Sequence, residues 1–324
     1  MALEIFYQDD TTNALIGYND LTLNLSSGAS RTTCRFITQN QDLAKAGSIV
    51  RDGGVIRIVD GGDTLLFNGE VETLDLNLKT GLATVSAEST LDLSTIKSNL
   101  RSNLKSILSQ PPLSESYILF PDLLQLVVDD LLLTQRSKDQ LIRECYQHNV
   151  IIDYEGMPHN IAEGQSVVIL DQTRITSGTV RINNGRHTPK GLFRNGIHIS
   201  GIRALGVEES ADNLQNVVYT LGKLPIVFTD NREAPSPGWG DLYTKESLRT
   251  VIRESAELKV TMPLNLEFVP LLMVSYPDSI LTAFTGIDLW TVETASHRVG
   301  GTNSTTTLTC KVLWENQKWL GLGG

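Results

Sequence analysis

The feature that most constrains this chain is a two-residue rhythm interrupted by small turn residues. In "GVIRIVDGGDTLLFNGEVETL", Gly54 to Leu74, two short runs flank Gly61-Gly62-Asp63. Ile56 and Ile58 fall on one side, with Val55, Arg57 and Val59 on the other. Alternation of this kind gives an extended strand an apolar face and gives a helix none. Glycine at the break supplies the positive φ angles of a tight hairpin. The rhythm recurs from about Ala2 to Ser94, in "ALEIFY", in Leu21, Leu23 and Leu25 of "NDLTLNL", and in "RTTCRFIT". It continues through Val71, Leu74, Leu76 and Leu78 to a second turn at "KTG", and "LATVSAES" returns. Strands at this spacing predict a small antiparallel barrel or sandwich.

The pattern then changes. From about Thr95 to His148 the chain is Leu-rich and predicts helices. "FPDLLQLVVDDLLL" puts Pro121 and Asp122 at a helix start, where a missing N–H is harmless and an acid suits the dipole. Ser137 and Gln140 form a capping box ahead of Leu141, Ile142 and Cys145. The first of these helices is apolar on nearly every face, so Leu126, Leu131 and Leu132 are candidate subunit contacts, with an inter-domain core as the alternative. From about Gly164 strands resume, with one helix predicted from about Asp241 to Leu258 and strands such as "AELKVTMPL" and "STTTLTCKVLW" closing the chain. Trp319, near the end, is an odd apolar residue to leave in water and is a further candidate contact.

No stretch carries a catalytic signature: P-loop, GxGxxG after a strand, HExxH and GxSxG are all missing from the sequence. The densest polar cluster, "CYQHNVIIDYEGMPHN", holds Cys145, His148, Asp153, Glu155 and His159, at a spacing that matches no ligand motif. His187, His198 and His297 are scattered and read as strand or turn residues, and no cofactor or metal is expected. Cys34, Cys145 and Cys310 are far apart and odd in number, which favours three buried thiols over a disulfide framework. "MALEIFYQDD" lacks the basic and apolar regions of a secretory signal. "LLQLVVDDLLL" is too short and too acidic to span a membrane.

Charge narrows the choice further. The formal net charge is -10, and the first hundred residues hold 13 acids against 7 bases. A chain that gripped nucleic acid through its phosphates would need the opposite balance. Arg174, Arg181, Arg186, Lys190, Arg194 and Arg203 lie in a run without Asp or Glu, a local reversal of sign. That run is either a patch for an acidic partner or a neighbouring copy, or the solvated face of strands.

The last third carries a resemblance. "WGDLYTKESLRTVIRESAELKVTMPLNLEFVPLLMVSYP" and "GIDLWTVETASHRVGGTNSTTTLTCKVLW", with its W-x-V…H…GG…TTTL order, resemble the baseplate hub proteins of contractile-tailed bacteriophages and the related hubs of contractile injection machines. Phe67, Gly69 and Val71 match the F-x-G-x-V strand of the first barrel in such hubs, and "NLQNVVYTLG" is similar to another recurring strand. The resemblance implies a mainly β fold with a helical insertion (α+β): two small antiparallel tail-tube-like β-barrels and a Leu-rich helical middle segment. The boundaries expected are a first barrel at 1–95, a helical domain at 96–163, a second barrel region at 164–318 and a loose tail at 319–324. It further implies a structural virion protein without enzymatic activity. The implied assembly is a homotrimer joining the six-fold tail tube protein above to a central spike protein below, beside baseplate wedge proteins. DNA would pass through the lumen without specific binding. The place implied is the virion tail baseplate, with host cytoplasm during assembly. Two other readings stay open: a receptor- or carbohydrate-binding distal tail or fibre protein, and a tail-associated cell-wall hydrolase using the Cys145 to His159 region.

Overall fold

The alternating runs become strands in the computed structural model, which describes residues 3–8, 13–27, 32–39, 54–61, 64–89, 91–109, 121–132, 137–148, 150–153, 155–160, 167–182, 256–276, 289–300 and 303–312. The N-terminal strands are β1 (Glu4–Gln8), β2 (Asn13–Ile16), β3 (Asp20–Ser26), β4 (Thr33–Gln39), β5 (Val55–Val59), β6 (Leu65–Asn77) and β7 (Leu82–Glu88). Three helices follow among the described residues, α1 (Leu93–Leu108), α2 (Pro121–Leu132) and α3 (Lys138–Gln147), and then the short strands β8 (Val150–Ile152) and β9 (Pro158–Asn160). The C-terminal strands are β10 (Val168–Ile169), β11 (Ser177–Ile182), β12 (Ala256–Pro263), β13 (Met273–Ser275), β14 (Leu289–Gly300) and β15 (Thr305–Val312). The fold is mainly β with a helical insertion, as the rhythm predicts.

One sheet runs through both halves, in the order β11-β12-β15-β14-β3-β4-β7-β6-β5-β1-β2, with β10 and β13 attached beside β14. Every pairing along that path is antiparallel, and the two halves meet where β14 pairs with β3. Leu21, Leu23 and Leu25 of β3, Phe36 of β4, and Val85 of β7 point to one side and are buried. Ile5, Tyr7, Ile56 and Ile58 of the folded-over strands β1 and β5 cover them in a single core.

The chain repeats itself in three dimensions. The runs β3-β4-β7-β6 and β11-β12-β15-β14 have the same order, sense and sequence succession. In each, the last strand bulges against its hairpin partner at the same tripeptide. The shift lies between Val71 and Thr73 in β6 and between Val292 and Thr294 in β14, so Glu72 and Glu293 are the extra residues. A bulge inserts one residue and sharpens the local twist, and a matching pair of bulges marks equivalent strands.

The helices form a separate apolar cluster. Ile96, Leu100, Leu104 and Leu108 make the buried stripe of α1 at a spacing of four residues. Asp92 caps α1 by accepting the Thr95 N–H at 2.6 Å, and that bond holds its carboxyl below the usual range. The stripe packs with Val127, Leu131, Leu141, Ile142 and Cys145. The capping box forms: Gln140 Oε1 accepts from the Ser137 N–H at 3.1 Å, and Ser137 Oγ from the Gln140 N–H at 3.3 Å. Residues 241–255 of the helix expected at 241–258 lie outside the described residues. Its last three, Ala256, Glu257 and Leu258, are corrected to the start of β12, where Ala256, Leu258, Val260 and Met262 alternate into the core.

Candidate functional site

The other side of the sheet is polar. Residues directly opposite one another in antiparallel strands share a face. The registers therefore trace one row across eight strands: Ser177, Thr261, Thr307, Ser296, Asn24, Thr33, Glu88 and Glu70. At ~4.8 Å between strands that row spans about 34 Å. Side-chain hydrogen bonds link its central members. The Thr261 and Thr307 hydroxyls are 3.0 Å apart. Ser296 Oγ donates to Asn24 Oδ1 at 2.6 Å, and Asn24 Nδ2 to Thr33 Oγ1 at 3.2 Å. The Ser296 to Asn24 bond crosses between the halves, so the row is one surface and not two.

Charges on this face are of both signs, and some are paired. Arg298 Nη2 sits 3.3 Å from Asp20 Oδ2. Lys311, buried at the bulge, lies 3.2 Å from Glu257 and 3.9 Å from Glu293. The signs then separate toward the two ends. Glu70, Glu72 and Asp75 stand exposed on β6, whereas Arg181 on β11, Lys259 on β12 and Arg174 just before β11 stand exposed at the opposite end.

Other candidate residues fall in different places. Leu126 lies within α2. Leu131 is buried in the helical core and Leu132 packs against it half-buried. Arg186, Lys190, Arg194, Arg203, His187, His198 and Trp319 lie outside the described residues. The polar cluster at Cys145 to His159 is partly dispersed. Cys145 is sealed among the helices, while Asp153 and His159 meet at 2.7 Å across the β8–β9 hairpin. Asp153 Oδ1 also accepts the N–H groups of Glu155 and Met157, both at 2.8 Å, which closes the turn. The Asp153 carboxylate raises the His159 imidazole, and burial with Asp153 nearby raises Glu155. Asn99 Nδ2 donates to the Gly156 carbonyl at 3.0 Å, fastening the hairpin to α1. The cluster is thus built as a turn clamp.

His297, in contrast, is fully enclosed: Nε2 donates to the Phe268 carbonyl and Nδ1 faces the Thr306 hydroxyl, both at 3.0 Å. Burial depresses it to about 4, so it is a neutral structural histidine that ties β14 to β15 and to the strap before β13. All three cysteines are buried thiols outside any disulfide, and burial pushes Cys34 up to about 12. Among the described residues, no group of three or more His, Cys, Asp or Glu is placed to hold a metal. A cavity of about 300 Å³ opens between the first strands and the helical segment, lined by Leu65, Phe67, Leu91, Asn68, Thr95 and Glu155. It brings a single carboxyl, Glu155, beside the hydroxyls of Thr32, Ser89 and Thr95, with no histidine, cysteine or lysine among the described lining residues. The sequence signal that was missed is the recurrence of Val-Glu-Thr at residues 71–73 and 292–294, which marks the two equivalent strands.

No family model and no curated protein matches the chain. Solved structures do. The 43 kDa tail protein of prophage MuSo2 from Shewanella oneidensis aligns over 97% of this chain and 98% of its own, at 12% identity and a TM-score of 0.54. The tail protein from Neisseria meningitidis MC58 aligns over 98% and 99%, at 9% identity and a TM-score of 0.52. An E. coli component of the type VI secretion system aligns over 98% of this chain and 78% of its own, at 10% identity and a TM-score of 0.46. At such identities the agreement is one of fold. The chain has the fold of the first two tail proteins along nearly its whole length.

Proposed function

We propose that this chain is a structural tail component, a baseplate hub of a contractile injection machine, and that the polar row lines its channel. Three copies form a ring, each giving two tube-like units, at 1–95 and 164–318, joined by the helical domain at 96–163. The ring adapts a six-fold tail tube above to a three-fold spike below, with wedge proteins outside, in the virion baseplate after assembly in the host cytoplasm. The single observation that carries this reading is the hydroxyl-rich face that runs unbroken from one half of the sheet to the other. Two equivalent four-stranded units side by side are what a three-fold ring needs to present six. A wall of hydroxyls and charges of both signs has no excess of cations to hold phosphates, so DNA moves past it without being trapped. The fold shared with two tail proteins supports the same reading.

The mass of the purified chain in solution, with negative-stain images of the same sample, tests it. The expected result is a particle of about 107 kDa, three times the 35.6 kDa chain, with a central hole. A monomer that binds polysaccharide or cleaves peptidoglycan overturns it.

A further inference from the structure

The internal repeat predicts the contact between copies, down to the register. The two units are already joined once inside the chain, where β14 pairs with β3. Their equivalents are β6 and β11. Among the described residues both have a bare edge. β11 pairs only with β12, and β6 meets β5 only from Leu65 to Glu70, which leaves Val71–Asn77 paired on one side. The unpaired length is also the part of β6 that exposes apolar side chains: Leu76 is 51% exposed, and Leu78 just beyond is 90% exposed. Bare edges with exposed apolar residues are templates for another strand.

Register follows from the bulges. Thr73 and Thr294 are equivalent, and their hairpin partners are Ser86 and Thr309. Those pair with Arg35 and Lys259, which pair in turn with Thr22 and Thr179. Thr22 is therefore equivalent to Thr179. The observed junction sets Arg298 opposite Thr22, His297 opposite Leu23 and Ser296 opposite Asn24. Carried to the other unit, it sets Asn77 opposite Thr179, Leu76 opposite Val180 and Asp75 opposite Arg181.

We infer that β11 of a second copy adds antiparallel to β6 in this register, resting on the ring reading above, with Asp75 and Arg181 as the charge pair. The faces agree without adjustment. Asp75 and Arg181 are both exposed on the polar face, and Val180 lies opposite Leu258 on the core face, where Leu76 lies opposite Ala83. The pair takes the place that the Ser296 to Asn24 hydrogen bond holds inside the chain. It also explains why acids collect at the β6 end and Arg174, Arg181 and Lys259 at the other. The contact is head-to-tail, so it closes into a ring when the rotation allows. Three copies then place their eight-stranded rows around a wall about 37 Å across between backbones before strand tilt.

Cysteine trapping tests it on the full chain. Opposed residues in an antiparallel pair lie ~4.5–5.5 Å apart at Cα, inside the range a disulfide spans. The Leu76→Cys/Val180→Cys chain is expected to give reducible covalent oligomers between copies. The slipped pair Leu76→Cys/Gly178→Cys is not. In the same assay Asp75→Arg or Arg181→Asp alone, added to the cysteine pair, lowers the trapped fraction about tenfold, and the two together restore it. Each variant is first checked for native circular dichroism. Rings in negative stain without crosslinking at 76/180, or with equal crosslinking at 76/178, overturn this register and leave the ring reading standing. Neither rings nor crosslinks at the highest concentration the chain tolerates overturns both.

Discussion

Among the described residues, the two four-stranded units differ at their last strands: β14 is paired along both edges, and β6 beyond Glu70 along one. β14 is paired on both edges, and it carries polar residues that a covered strand can satisfy: His297 between Phe268 and Thr306, Ser296 on Asn24. β6 is its equivalent with one bare edge, and at the matching positions it carries Leu76 and Asp75. Before the bulge, β14 buries Trp290 completely, and β6 has Gly69. A Cβ on Gly69 would stand 2.4 Å from the Glu88 carbonyl oxygen, so this unit excludes a side chain where the other is built around one. On the same side of the bulge the contrast is also electrostatic, with Lys311 between two glutamates in one unit and Glu88 at its place in the other. Equivalent strands have thus been finished for different surroundings. Burial within the chain allows hydrogen-bonded polar groups, and a bare edge is given apolar and charged ones.

The largest effect should come from Trp290. Its side chain fills the C-terminal core, and Trp290→Ala is expected to lower unfolding free energy by about 3–5 kcal/mol in urea titration. Trp290→Phe should lose much less, because among the described residues the indole N–H has no partner. Equal losses for the two would mean that the N–H, and not the filled volume, matters.

His297 comes next and shows itself through pH. Its folded value, about 4, lies below the 6.5 of an exposed histidine. Between these values the unfolded chain binds the proton and the folded one does not, so stability is complete above 6.5 and is lost as pH falls toward 4. The full difference corresponds to roughly 3 kcal/mol. His297→Gln should remove that part of the acid slope. A variant whose stability falls as steeply as the parent's over the same window would place the acid sensitivity elsewhere.

What the sequence revealed followed from periodicity. Alternation at Leu21, Leu23 and Leu25 and at Ala256 to Met262 fixed the strands and their buried faces, and Ser137 with Gln140 marked a helix start that formed. The lone histidine of the C-terminal motif reads as a strand or turn residue, and the structure puts it within β14. Pairing between strands far apart in the chain is a different matter. Nothing local to "NDLTLNL" says that β3 lies beside β14, some 270 residues later, because a strand's partner is set by the whole sheet. The polar row was invisible for that reason: Thr307, Ser296, Asn24 and Thr33 become a surface only after the register aligns them. The expected helix end at Ala256 to Leu258 failed because three residues suit either period, and the pairing of Leu258 with Cys310 decides for the strand.

The electrostatic contrast predicts a smaller effect. Lys311→Met leaves Glu257 and Glu293 facing each other half-exposed, and a loss of about 1–2 kcal/mol is expected, larger at low salt where the repulsion is unscreened. A loss that does not change with ionic strength would point to packing of the lysine stem instead.

The smallest effect on folding is the most informative about the bare edge. Leu78 is 90% exposed, so Leu78→Ser removes almost no buried surface from the isolated chain. Its unfolding free energy should stay within about 0.5 kcal/mol of the parent. Assembly should behave otherwise, because apolar residues at a strand edge gain their burial from the partner strand, which in the inferred register sets Leu78 opposite Gly178 of the next copy. The expected pair of results is an unchanged urea midpoint with the ring fraction sharply reduced. If Leu78→Ser instead destabilises the monomer and leaves ring formation intact, the hairpin tip is part of the chain's own core, and the two units do not differ in the way their edges suggest.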